Sequence, residues 1–249
     1  MGSIPGETTR LEVAPEFAGH TAVVTGGRRR RRHRLITKQK IGLFMAPTAI
    51  EKLTPKGRAT RQRIVAAAAD LMSQRGVAGT TIEDIQDAAA VSTSQMYHYF
   101  ADKGELVAAV IDFQTDQVLA VQHLGLGQLE CLDDLRRWRD IMVDLVRNLH
   151  CVGGCPIGSL ASELTEIDPL AQAQLARSFA RWEAMIHDGL KVIAARGELP
   201  DGTDVETVAL AMLAAIQGGL LLSQLRRDTA PLEAAVDTMI AHLRGLGVQ

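Results

Sequence analysis

From residue 58 onward, apolar positions recur at helical spacing, and before it they do not. Ile64, Ala68, Leu71 and Met72 fall at i, i+4, i+7 and i+8, one stripe along a first helix that Gly76 closes. Ile82 and Ile85 mark a short second helix, Val91 to Phe100 a third, and Asp102 to about His123 a fourth, with Gly125 and Gly127 breaking the chain beyond it. Five more helices follow: Cys131 to His150, Pro156 to Glu166, Ala171 to Arg196, Val205 to Arg226, and one beginning at Pro231. The pattern contains no strand alternation and no internal repeat, so the expected fold class is all-α.

Composition supports this reading. With 47% of residues hydrophobic a large core is possible, while only 4% are aromatic, a bias towards helix. The longest wholly apolar run, Val208 to Ile216, has nine residues, short of the ~20 that cross a bilayer, and no membrane partner is expected. No stretch has the form of a secretory leader, and Cys131, Cys151 and Cys155 are too few for a disulfide framework. The expected compartment is the cytoplasm.

Charge is unevenly spread. Residues 1–57 hold 11 Lys and Arg against 4 Asp and Glu, residues 58–112 hold 5 against 7, and residues 113–249 hold 11 against 18. The acidic C-terminal half would repel phosphates, so any contact with nucleic acid falls to the front of the chain. Residues 1–57, with the block Arg28 to Arg32 and no apolar period, read as a disordered basic extension. Within it, Phe17 to Gly27 resembles the first strand of a short-chain dehydrogenase, but arginines follow where glycines must cradle a phosphate. Residues 1–44 are therefore expected to be a mis-assigned start ahead of Met45, the competing reading being a basic arm that adds phosphate contacts.

Function is concentrated in Thr80 to Phe100. Thr80 and Glu83 fit a capping box for the second helix, and Ser92 and Gln95 fit one for the third. Val91 and Met96 occupy the positions of a hydrophobic staple that fixes how the chain enters the third helix. Two short helices joined this way are the geometry of a helix-turn-helix, whose second helix offers its first residues to base edges. Thr93, Ser94 and Gln95 suit base readout, Gln by bidentate pairing with adenine. Tyr97, His98 and Lys103 suit phosphate oxygens, as does Thr81 at the start of the second helix; Lys56, Arg58, Arg61 and Arg63 sit where they can reach the backbone or a minor groove.

Residues 58–110 closely resemble the DNA-binding domain of TetR-family transcriptional regulators. The matching residues are Thr80-Thr81-Ile82, Asp84-Ile85, Ala89, Val91-Ser92, Met96 to Phe100 and Lys103 to Leu106. Gly154 to Glu163 and Gln217 to Leu222 resemble the body of a subfamily that includes multidrug- and flavonoid-responsive repressors. The resemblance implies a three-helix head (58–112), a ligand-binding and dimerisation body (113–249), and a homodimeric repressor released from operator DNA by a small apolar effector. It departs from the family at Ala90, where glycine is usual, and at Gln86, where a small residue is usual.

Each candidate site has a plainer reading. Trp138, Met142, Phe179, Trp182, Met185 and Ile186 are expected to line the effector pocket, although such a stripe also serves as ordinary core. Gly218, Gly219, Leu221, Leu232, Val236, Met239 and Leu243 are expected at the interface between two copies, because a helix apolar all round must be covered all round. His150, Cys151 and Cys155 lack a fourth zinc ligand, and buried structural thiols are the favoured reading; no metal or cofactor is expected. The rivals are a dehydrogenase-related enzyme, for which no catalytic pair follows, and a helical interaction module without DNA binding.

Overall fold

The computed structural model of the chain describes residues 53–246; the expectations for residues 1–52 lie outside them. Among the described residues there are nine α-helices and no strand. α1 (Pro55–Arg75) starts where Thr54 accepts a hydrogen bond from Gly57 N (3.1 Å) and Pro55 takes the first helical position, where its missing N–H costs nothing. Ile64, Ala68 and Met72 of the expected stripe are buried, and Gly76 ends the helix by donating to Met72 O (2.9 Å). α2 (Ile82–Ala89) and α3 (Thr93–Tyr99) complete a three-helix head around Ile64, Ile85, Met96 and Phe100.

α4 (Lys103–Leu126) belongs to head and body at once. Its first half closes the head core through Leu106, Val110 and Ile111; its second half enters the body through Thr115, Leu119 and Leu126. The expected boundary at residue 112 therefore falls inside a continuous helix rather than in a linker. The body is built from α5 (Asp134–Asn148), α6 (Pro156–Leu164), α7 (Pro169–Ala195), α8 (Val205–Arg226) and α9 (Ala230–Leu246). α4 packs on α5, α6 and α7, α7 on α8, and α8 on α9. Arg139 ties α5 to α9 through Asp237 (2.8 Å) and Glu233 (3.2 Å).

α8 is, by length and composition alone, apolar enough to cross a membrane. Here one face lies in the protein core through Val208, Met212, Ile216 and Gly219. The other face carries Leu210, Leu221, Leu222 and Leu225 exposed. This splits the expected interface residues. Gly218 and Leu221 are exposed and Met239 is half-buried, but Gly219, Leu232, Val236 and Leu243 are buried inside the chain itself. The expectation that they meet a second copy is corrected: a Cβ on Gly219 would come within 2.9 Å of Leu232 Cα, so this glycine lets α9 approach α8 of the same chain.

The caps refine the sequence reading in one place. The residue that caps α2 is Thr81 rather than Thr80, in a reciprocal box with Asp84 rather than Glu83 (both backbone bonds 3.1 Å). Thr80 is fully buried and spends its hydroxyl on Gly76 O (2.8 Å), which leaves the next threonine to cap. Ser92 and Gln95 do form the expected box on α3. Ala90, between the two helices, is left-handed (φ 49°, ψ 54°), a conformation that costs a residue with a Cβ about 1 kcal/mol relative to glycine. Ala90→Gly is therefore expected to raise the melting temperature by about 2–4 °C; calorimetry showing no rise, or a fall, contradicts strain at this turn.

Candidate functional site

The turn between α2 and α3 is fixed from several sides. Ser92 N–H donates to Gln95 Oε1 (3.0 Å) while Gln95 N–H donates to Ser92 Oγ (3.3 Å), and Val91 and Met96 are both buried beneath as the staple requires. Arg63 Nε donates to Ala89 O (2.9 Å), so α1 holds the last carbonyls of α2. Hydrogen bonds from the Thr81 backbone N–H and hydroxyl keep the Asp84 carboxyl below its ordinary value, and Asp84 therefore stays ionised in its box. α3 is thus held by paired polar groups and apolar anchors, with its outward face free of packing duties.

That face collects Thr93, Ser94, Gln95, Tyr97 and His98, all exposed, with Thr81, Lys56 and Arg58 exposed elsewhere on the head. Several of these groups already have partners within the chain. Gln95 Oε1 is occupied by the Ser92 N–H, so its amide NH2 is the end that can turn outward. Arg58 Nη1 donates to Leu53 O (2.6 Å), and Arg61 stacks over the Phe100 ring at 4.9 Å. Lys103 Nζ, half-buried, donates to Val77 O (2.6 Å) and so pins the α1–α2 turn.

The body contains a partly open cavity of about 200 Å³ lined by α4, α5, α7, α8 and the segment leading into α6. Met142 and Trp182 line it as expected, but Trp138, Phe179, Met185 and Ile186 do not. Trp138 and Ile186 are fully buried packing residues: Trp138 closes on Gly125 and donates its indole N–H to Gln122 Oε1 (2.8 Å). Phe179 and Met185 are partly buried against the core. In their place the wall takes Val118, Val121 and Gln122 from α4 and Val152, Cys151 and Cys155 from the segment before α6. None of these was readable as a wall, because periodicity tells which face of a helix turns inward but not whether a gap is left there.

The segment before α6 is held in an unusual backbone. His150 and Cys151 both have positive φ (52° and 55°), and Arg227 Nη1 donates to Cys151 O (2.8 Å). Such conformations persist where surrounding contacts over-determine them. Burial pushes the Cys155 thiol above its ordinary pKa, so it remains protonated in the wall. Among the described residues no three His, Cys, Asp or Glu side chains gather as a metal would need.

One side chain joins α6 to the head. Glu163, in the last turn of α6, accepts hydrogen bonds from Val77 N (2.9 Å) and Ala78 N (2.8 Å) with its two carboxylate oxygens. These amides follow the end of α1, and Gly76 admits the carboxylate because a Cβ there would lie 3.2 Å from it. The same α6 begins at Pro156, which lines the cavity. Glu163 lies within the segment that carries the body resemblance, but no periodicity marked it as a bridge.

Comparison with known proteins agrees with this geometry. Residues 64–110 match the model for bacterial regulatory proteins of the tetR family, and residues 131–239 match that for tetracyclin repressor-like C-terminal domains. The probable HTH-type transcriptional regulator ArpR of Pseudomonas putida is 30% identical over 206 residues, covering 78% of this chain and 96% of that one. The HTH-type transcriptional repressor DhaR of Mycobacterium sp. (strain GP1) is 26% identical, covering 70% of this chain and 86% of that one. A TetR transcriptional regulator structure from Chloroflexus aurantiacus superposes with a TM-score of 0.65 at 27% identity, covering 76% of this chain and 96% of that one. With both family models met in order and a stapled helix-turn-helix in the first, the chain belongs to the TetR family of helix-turn-helix, DNA-binding transcriptional regulators.

Proposed function

We propose that this regulator is a ligand-responsive repressor that binds a pseudo-palindromic operator as a homodimer and leaves it when a small, largely apolar effector occupies the body cavity. The observation that carries this reading is the Glu163 carboxylate, which grips two head amides from the helix whose start walls the cavity. A ligand that displaces α6 changes the grip and with it the attitude of the head, so ligand and operator affinities are negatively coupled. A DNA-binding regulator of this kind works in the cytoplasm, and nothing in the reading requires enzymatic chemistry or a cofactor.

The proposed DNA contacts divide by chemistry. Thr93, Ser94 and the Gln95 NH2 face base edges; Thr81, Tyr97, His98, Lys56 and Arg58 serve phosphates, with Arg61 and Lys103 chiefly bracing the head. The proposed dimer uses the uncovered stripe of α8, where Leu210, Ala214, Gly218, Leu221 and Leu225 recur at i, i+4, i+8, i+11 and i+15. Pairing two such stripes, with half-buried Met239 at the edge, would set the two α3 helices about 34–36 Å apart, one turn of DNA.

Three measurements test these assignments. In mobility shifts with DNA from its own promoter region, Gln95→Ala is expected to lose about 1–3 kcal/mol of specific binding and Tyr97→Phe to weaken specific and random DNA alike; equal losses on both DNAs for Gln95→Ala refute its readout role. Leu221→Glu leaves an exposed side chain in the folded protomer but buries a charge in the dimer, at several kcal/mol, so sedimentation should show monomers with native helicity and poor operator affinity. A stable Leu221→Glu dimer places the interface elsewhere. Glu163→Gln is expected to speed hydrogen exchange at the Val77 and Ala78 amides by about ten-fold and to lower operator affinity; unchanged exchange shows that the grip does not hold the head.

A further inference from the structure

Among the outward residues of α3, Gln95 has its chemistry fixed most narrowly. Its side chain is exposed, yet one end of it already has a partner. Ser92 N–H donates to Gln95 Oε1 (3.0 Å), and Ser92 Oγ lies 3.3 Å from the same oxygen. A backbone N–H can only donate, so the end of the amide held in this box must be the carbonyl. The Gln95 backbone N–H closes the box on Ser92 Oγ (3.3 Å), and the next residue, Met96, is buried and anchors the helix beneath. What is left to face outward is the NH2, with two donors and no acceptor.

That polarity conflicts with the pairing expected from residue type alone. Bidentate pairing of glutamine with adenine needs the carbonyl to accept from the N6 amino group while the NH2 donates to N7. Here the carbonyl can take part only by leaving the Ser92 N–H, and a helix-start donor that loses its partner beneath DNA is costly. With the box closed, adenine sets its own amino donor against the Gln95 NH2. Cytosine offers only a donor in the major groove, thymine one acceptor beside a methyl group, and guanine two acceptors, O6 and N7.

Resting on the reading of Gln95 as a base reader, we infer that it acts as a donor-only side chain and specifies guanine, not adenine, in the DNA that this protein recognises. The Ser92 backbone N–H thereby sets the sign of the readout. A consequence follows that is particular to this box. Gln95→Glu keeps it, since one carboxylate oxygen can hold the Ser92 N–H as in other capping boxes. The second oxygen then turns an acceptor outward in place of two donors, and its partner is the N4 amino group of cytosine. The same backbone thus comes to read the inverted base pair.

The test is selection of binding sites from a randomised duplex DNA pool by the full chain, comparing wild type, Gln95→Ala and Gln95→Glu. The position read by residue 95 is the one whose preference flattens in Gln95→Ala. Wild type should select a G·C pair there over A·T by about ten-fold, and Gln95→Glu should select C·G at the same position. The introduced charge weakens binding to every sequence, but a shared loss does not move the base ratios. An A·T pair in wild type overturns the donor-only assignment while leaving Gln95 a base reader. A Gln95→Glu profile that stays G·C, or is flat, overturns it equally. If Gln95→Ala flattens no position, the readout role fails and this inference with it. Should Gln95→Ala fold poorly, wild type and Gln95→Glu alone decide, because the second keeps the box. Their profiles must then differ by inversion of one G·C pair, and any other difference, or none, overturns the inference.

Discussion

Everything in this protein is organised around α4, a single rigid helix that has to complete two cores. Its 24 residues extend about 36 Å, and along that length the buried side chains change partners, from α1 in the head to α5, α6 and α7 in the body. The transition is marked by Thr115, fully buried, whose hydroxyl donates to Ile111 O (2.6 Å) and lies 2.8 Å from Ser178 Oγ on α7. A helix packed this way cannot bend locally to absorb a change in the body, because its backbone groups and its stripe are both committed. Under the proposed function, displacement of the body half would reach the head as rotation or translation of the whole rod.

Glu163 adds a second, weaker tether at a different height. Two anionic acceptors on two backbone donors form a directional contact, stronger than a neutral pair and sensitive to sub-ångström shifts of α6. Lys103 Nζ on Val77 O fixes the same turn from the α4 side. The α1–α2 turn is thus held at once by the rod and by the helix that opens beside the cavity. Under the proposed function, such a three-way junction is the route by which a ligand far from α3 would gain influence over where α3 points.

The buried polar groups in the body are satisfied to different degrees. Trp138 and Trp182 are both fully buried indoles on helices facing the core. One satisfies its N–H on Gln122 and is structural; the other is left without an acceptor and stands in the cavity wall. The left-handed pair His150 and Cys151 similarly carries strain that Arg227 holds in place beside the same cavity. Local rules are broken in this protein mainly around the cavity and at Ala90, the regions where a binding role is proposed.

The sequence by itself determined the number and order of helices, the head, and the locking of α3. These rest on period, caps and a staple, which involve residues within about one turn of each other. It also identified α8 as a helix with too much apolar surface for one face. Only the tertiary structure decided between Thr80 and Thr81, because the two capping frames are equivalent until Thr80 is buried under Gly76 O. It alone separated Gly219, Leu232, Val236 and Leu243, which are buried within the chain, from Leu221 and Gly218, which remain uncovered. Nor does any sequence pattern distinguish Met142 and Trp182, which border a gap, from Trp138 and Ile186, which fill one. The reason is common to all three cases: the sequence pattern encodes which way a side chain turns, whereas burial against a particular neighbour depends on the volumes that distant helices bring to the same place.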